Sequence, residues 1–139
     1  MANDNGITIG QLTEQLNQKM YLPTGVSQDN MDYVVEWKTP TADDPTWFRK
    51  YKSGWIEQGG HWQPTVSKTY VTITLPKEMA NASYYVNIMQ ADQTKKGSTE
   101  AQYYNSVKTF NHTNTSFQAA TGLTELPLYR WEVKGQGAE

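Results

Sequence analysis

The chain of 139 residues contains no cysteine, which excludes a disulfide scaffold, a thiolate metal site and a cysteine nucleophile. Its two histidines, His61 and His112, stand far apart, outside the H-x-H and H-E-x-x-H spacings that offer paired metal ligands. No metal or other cofactor is expected from this inventory. The G-x-S-x-G elbow, the Walker loop and the G-x-G-x-x-G fingerprint are all missing. Charge is sparse as well: 19% of residues are charged, and 12 basic and 14 acidic groups nearly cancel to −2. Without a basic block there is no electrostatic footprint for nucleic acid and no segment to hold an anionic membrane surface. No apolar run approaches the ~18 residues of a spanning helix, so membrane insertion is not expected. Asp43 and Asp44 stand together, but in a proline-flanked polar loop that reads as solvated and not as an acid–base pair. Glu57, in a strand beside Trp55, reads as a half-buried partner of Arg49 or Lys50 across a hairpin. The chain is not expected to be an enzyme.

Aromatic residues are abundant, at 12% with 5 Trp and 9 Tyr, and a chain so rich in them folds. Its length predicts one compact domain that buries roughly two thirds of its unfolded surface. Thr8 and Gln11 fit a capping box. Ile9, Leu12, Leu16 and Met20 recur at helical spacing behind it. A helix this short is marginal alone. Its stripe therefore packs either on its own domain or on sister chains as the end of an oligomeric stalk.

From Tyr33 the period changes from helical to two. Tyr33, Val35 and Trp37 form one bulky row, which reads as a core row. Trp47–Tyr51 and Trp55–Gln58 form a hairpin about Lys52-Ser53-Gly54. Val71, Ile73 and Leu75 alternate with Tyr70, Thr72 and Thr74 until Pro76 ends the strand. Tyr84–Met89, Tyr103–Phe110, Thr115–Ala119 and Leu128–Lys134 follow, the last with Tyr129, Trp131 and Val133 facing in. Short strands with no helix between them predict an all-β fold. The expected architecture is an antiparallel β-sandwich of about seven or eight short strands, preceded by a short N-terminal helix. Residues 1–25 read as a stalk or trimerisation segment and residues 26–139 as the head.

Trp47, Trp62, Tyr70, Tyr103 and Tyr104 stand apart from the core rows, at strand ends, beside loops or on polar rows. Exposed aromatics beside amides and charges suit sugars: the ring covers C–H groups and the polar neighbours meet hydroxyls. The candidate receptor residues are His61, Trp62 and Gln63, with Lys95 and Lys96 of the polar Asp92–Gln102 loop and the adjoining Tyr103 and Tyr104. The loop Thr39–Thr46 with Trp47 is the next place to look.

Tyr51-Lys52-Ser53-Gly54-Trp55-Ile56-Glu57-Gln58-Gly59-Gly60 resembles the Y-x-x-G-W-I-E-Q-G-G signature of phage and prophage tail-fibre C-terminal domains. Val71–Pro76, Tyr84-Tyr85-Val86 and Trp131–Gly135 extend the resemblance over most of the chain. It implies a fibre-tip domain carried on a stalk as a homotrimer through Ile9, Leu12, Leu16 and Met20. Such a domain would be made in the bacterial cytoplasm and would act in the virion, binding a host cell-surface glycan or an outer-membrane component. In this resemblance Gly54 and the Gly59-Gly60 pair shape turns while Trp55 and Ile56 pack. The alternatives are a purely structural tip or connector, a bacterial carbohydrate-binding module and a glycan depolymerase.

Overall fold

The computed structural model describes residues 8–13, 30–66, 68–92, 107–122 and 127–139. The chain falls into two compact units, Met1–Asp32 and Tyr33–Glu139. In the first, residues 9–13 are helical. The capping box forms in both directions: the Gln11 amide N–H donates to Thr8 Oγ1 at 3.2 Å, and the Thr8 N–H to Gln11 Oε1 at 2.9 Å. Ile9 and Leu12 are exposed on this turn. Leu16 and Met20 lie outside the described residues.

The second unit is all-β. Its strands are β1 (Val34–Lys38), β2 (Trp47–Tyr51), β3 (Trp55–Trp62), β4 (Tyr70–Thr74), β5 (Tyr85–Asp92), β6 (Val107–Phe110), β7 (Ser116–Thr121) and β8 (Leu128–Gln136). They build a five-stranded sheet in the order β1-β2-β3-β8-β5 and a three-stranded sheet in the order β4-β7-β6. Every pairing is antiparallel. The chain leaves the larger sheet after β3, returns to its edge as β5, and finally inserts β8 between β3 and β5.

Side chains alternate across a strand, so each sheet turns one row inward. Ile56, Trp62, Tyr129, Trp131 and Val133 of the larger sheet meet Ile73, Phe117 and Ala119 of the smaller one, with Leu75, Met79 and Tyr84 from the connection between β4 and β5. Phe117 and Trp131 meet edge to face at 5.7 Å. At ~25 cal/mol per Å² of apolar area, these rings and aliphatics dominate the stability of the unit.

Two polar residues are buried among the described ones, Thr121 and Gln58, the latter at 0% exposure. The Gln58 side-chain amide donates to the Lys77 carbonyl at 2.9 Å and accepts the Lys77 N–H at 2.8 Å. It satisfies the Lys77 backbone groups of the connection between β4 and β5, which Met79 and Ala80 further tie down through backbone bonds to Asn114 and Gln136.

Two expectations need correction here. The row Tyr33, Val35 and Trp37 is not core: all three are exposed, Trp37 at 67%. Strand β1 is the edge of its sheet, and an irregularity between Val34 and Glu36 offsets its register on β2. The Gly59-Gly60 pair shapes no turn either. It lies within β3, paired with Trp47 on one side and with Glu132 and Trp131 on the other. Gly54 does turn the β2–β3 hairpin, with φ of 85° and its N–H bonded to the Tyr51 carbonyl at 2.9 Å. That left-handed conformation suits glycine because a β-carbon there meets the backbone.

Candidate functional site

The outer face of the five-stranded sheet is built by the same alternation. Phe48 of β2 and Ile56, Gln58 and Trp62 of β3 are buried, so Trp47 and Arg49 point outward with Glu57, Gly59 and His61. The register carries these rows across the sheet. Trp47 faces Gly59, Gly59 faces Glu132, and Glu132 faces Asn87; His61 faces Arg130, which faces Met89. Residues from four strands thus converge although β8 lies far from the others in sequence. They line a depression of about 270 Å³ with Trp47, His61, Asn87, Met89, Arg130 and Glu132 on its walls. On the other side of Trp47 lies a second hollow, about 460 Å³, bounded by Trp37, Pro40 and Arg49.

The glycine pair makes room for two tryptophans. A β-carbon on Gly59 would lie 2.7 Å from Trp47 Nε1 and 2.6 Å from the Trp131 carbonyl oxygen; one on Gly60 would lie 2.8 Å from Trp131 Cζ2. Successive residues point to opposite faces. Gly59 therefore seats the Trp47 indole outside, and Gly60 seats the Trp131 indole in the core. Trp47 is half-buried in consequence, fixed in position with part of its ring in solvent.

The charges around this ring are unevenly paired. Lys134 Nζ lies 3.2 Å from Glu132 and 3.8 Å from Glu57. The hydrogen bond and charge of Glu132, then the charge of Glu57, push the Lys134 ammonium above its ordinary pKa. Tyr51 donates to Glu57 as well, at 3.3 Å. Glu57 stands in register with Arg49, but the partner expected across the hairpin, Arg49 or Lys50, is replaced by Lys134 of β8. The Arg49 guanidinium lies 6.0 Å from the Trp47 ring centre.

Beside the second hollow, Asp44 organises the loop between β1 and β2. Its carboxylate accepts from Lys38 Nζ, from the Thr46 hydroxyl at 2.6 Å and from the Thr46 N–H at 3.0 Å. The Lys38 hydrogen bond above all holds this carboxyl well below the usual range. Asp44 is a loop lock; as the sequence suggests, the loop is exposed.

Of the residues expected to meet a receptor, His61 is exposed on the wall of the first depression. Trp62 is not a surface platform. It is 8% exposed and stacks on Tyr129 at 5.1 Å with a 23° interplanar angle. Strand β3 runs on to residue 62, which places Trp62 in the inward row with Ile56 and Gln58. Gln63 is exposed just beyond the strand. Lys95, Lys96, Tyr103 and Tyr104 lie outside the described residues. Tyr70 is exposed on the other sheet, edge to face with Phe110 at 6.4 Å. Arg130, Asn87 and Met89 were not marked by the sequence, because only the β8 pairings bring them to Trp47. Among the described residues no three His, Asp or Glu side chains gather as metal ligands.

No protein-family model matches the chain, and no curated protein matches it. Among solved structures, a C-terminal fragment of the P. aeruginosa R2 pyocin fibre aligns with TM-score 0.48 and 18% identity over 74% of this chain. An N-truncated R2-type pyocin tail fibre aligns with TM-score 0.48 and 18% identity over 75% of this chain. An N-truncated R1-type pyocin tail fibre aligns with TM-score 0.49 and 13% identity over 88% of this chain and 94% of its own. The chain spans 26% and 39% of the length of the two R2 fibres.

Proposed function

We propose that this chain is the receptor-binding tip of a phage-type tail fibre, and that it binds a saccharide of the bacterial surface without transforming it. The observation that carries this reading is the Trp47 indole, seated on Gly59 and ringed by His61, Asn87, Arg130 and Glu132. An aromatic plane in a shallow, largely pre-formed depression with a few polar groups is how a protein holds a sugar ring. The tail-fibre part of the reading rests on the Tyr51–Gly60 signature. In the structure Gln58, Gly59 and Gly60 of that signature secure the Lys77 connection and seat Trp47 and Trp131.

Absence of catalysis agrees with the acids on this face. Glycoside cleavage needs two carboxyls placed to flank the scissile bond. Glu57 and Glu132 are instead both ion-paired to the same ammonium, that of Lys134. We place the protein in the virion as a homotrimer, with residues 1–25 as the stalk segment and Ile9 and Leu12 turned to sister chains. Three weak sites acting together hold a cell surface far better than one.

The test is adsorption of the labelled full chain to a panel of bacterial strains, with and without their detached surface polysaccharide as competitor. Adsorption that the polysaccharide competes away, with no release of reducing sugar, is expected. Sugar release would make it a depolymerase. The exposed edge row Tyr33, Val35 and Trp37 favours one rival reading, a purely structural tip in which this row packs between chains. That rival predicts no adsorption to any strain.

A further inference from the structure

The saccharide reading leaves the class of sugar open, and the charges of the outer face narrow it. The outward positions of β2, β3 and β8 carry Arg49, Arg130 and Lys134 against Glu57 and Glu132. Lys134 serves both acids. That leaves Arg49 beside Trp47 and Arg130 beside His61, with no carboxylate against either guanidinium among the described residues. The whole chain is net negative, at −2, so this surplus of positive charge is a local property of the face with the aromatic seat. Arg130 is exposed and shares the walls of the 270 Å³ depression with Trp47 and His61.

We infer, resting on that reading, that the site takes an anionic saccharide, one whose ring carries a carboxylate or a phosphate. The ring lies on Trp47, and the anionic oxygens meet the Arg130 guanidinium, with His61 as a further polar contact. Guanidinium is the side chain best shaped for this task, since its planar fork donates two parallel hydrogen bonds to either anion. The depression is smaller than the ~300–1,000 Å³ of sites for drug-sized ligands, a fit to one sugar unit. The hollow beyond Trp47, with Trp37 and Arg49 on its walls, receives the next unit, so the ligand is a chain and not a free monosaccharide.

The experiment presents the full chain, its Arg130→Gln variant and its Trp47→Ala variant to an array of bacterial saccharides. The array holds uronic-acid-bearing, phosphate-bearing and neutral chains. Retention on anionic chains is expected, weakened roughly tenfold or more by Arg130→Gln and weakened for the parent chain by added salt. The uronic-acid and phosphate arms then tell the two anions apart. Retention of all three proteins on neutral chains, or anionic retention indifferent to Arg130→Gln, overturns the anionic assignment. Neutral retention abolished by Trp47→Ala overturns it too, but leaves the saccharide reading standing. Retention on no saccharide overturns both.

Discussion

The Trp47 indole rests on the backbone of Gly59 in the neighbouring strand, so closely that a β-carbon at Gly59 would come within 2.7 Å of the indole nitrogen. Glycine at this position therefore fixes both the height and the orientation of the ring that lies between the two hollows of the outer face. In Gly59→Ala the new methyl also meets the Trp131 carbonyl oxygen, which is backbone and cannot swing away. Overpacking of this kind costs ~1–3 kcal/mol. Urea unfolding should show that loss, and adsorption to bacterial cells should fall together with it, because Trp47 is lifted from its seat. A variant of unchanged stability and adsorption would show that the seat is not tight.

Gln58 should prove structural. Gln58→Leu keeps the side-chain size but strips the Lys77 N–H and carbonyl of the partners that hold them at 2.8 and 2.9 Å. These two backbone groups are part-buried, so leaving them unpaired costs about 1–3 kcal/mol in all. The unfolding midpoint in urea should drop accordingly, with the m-value unchanged. A Gln58→Leu protein as stable as the parent would mean that the connection finds other partners.

The tyrosines predict an alkaline limit to stability. Burial pushes the Tyr84 phenol up to about 12 from an ordinary 10.0. Burial also raises Tyr129, against the opposing effect of its hydrogen bond with Thr121. The unfolded chain ionises first, so this contribution is complete below pH 10 and is lost as pH rises toward 12. Phenolate absorbance should therefore show a late-titrating class that merges with unfolding. Tyr84→Phe, which also gives up the 2.8 Å bond to the Ser116 carbonyl, should reduce that class. A single titration step near 10 with the fold intact would contradict it.

Much of the fold is legible in the sequence because its strands are amphipathic. Val71-Ile73-Leu75 and Tyr129-Trp131-Val133 alternate with polar residues and face inward as they must. Alternation says which residues share a face, though not which face is covered. For Tyr33, Val35 and Trp37 alternation fails, because the irregularity between Val34 and Glu36 breaks the period of two and the edge strand leaves all three exposed. Trp62 fails for a related reason: the length of β3 is set by pairing with β8, which the local sequence does not announce. The site is hidden by the same topology. Trp47 can be read as a candidate from its loop, but Arg130 and Asn87 reach it only because β8 inserts between β3 and β5. A glycine pair inside a strand is the one local hint, since such glycines mark close approach as often as a turn.

The central claim is that cells are bound through the outer face at Trp47. It is tested most directly by the adsorption of Trp47→Ala and Trp37→Ala to a strain that retains the parent chain, with folding verified by near-UV circular dichroism. Trp37 is 67% exposed, so its removal should leave stability within about 0.5 kcal/mol. The account predicts at least a tenfold loss of adsorption for Trp47→Ala and a smaller loss for Trp37→Ala, in chains that remain folded. Folded Trp47→Ala that adsorbs like the parent would contradict it.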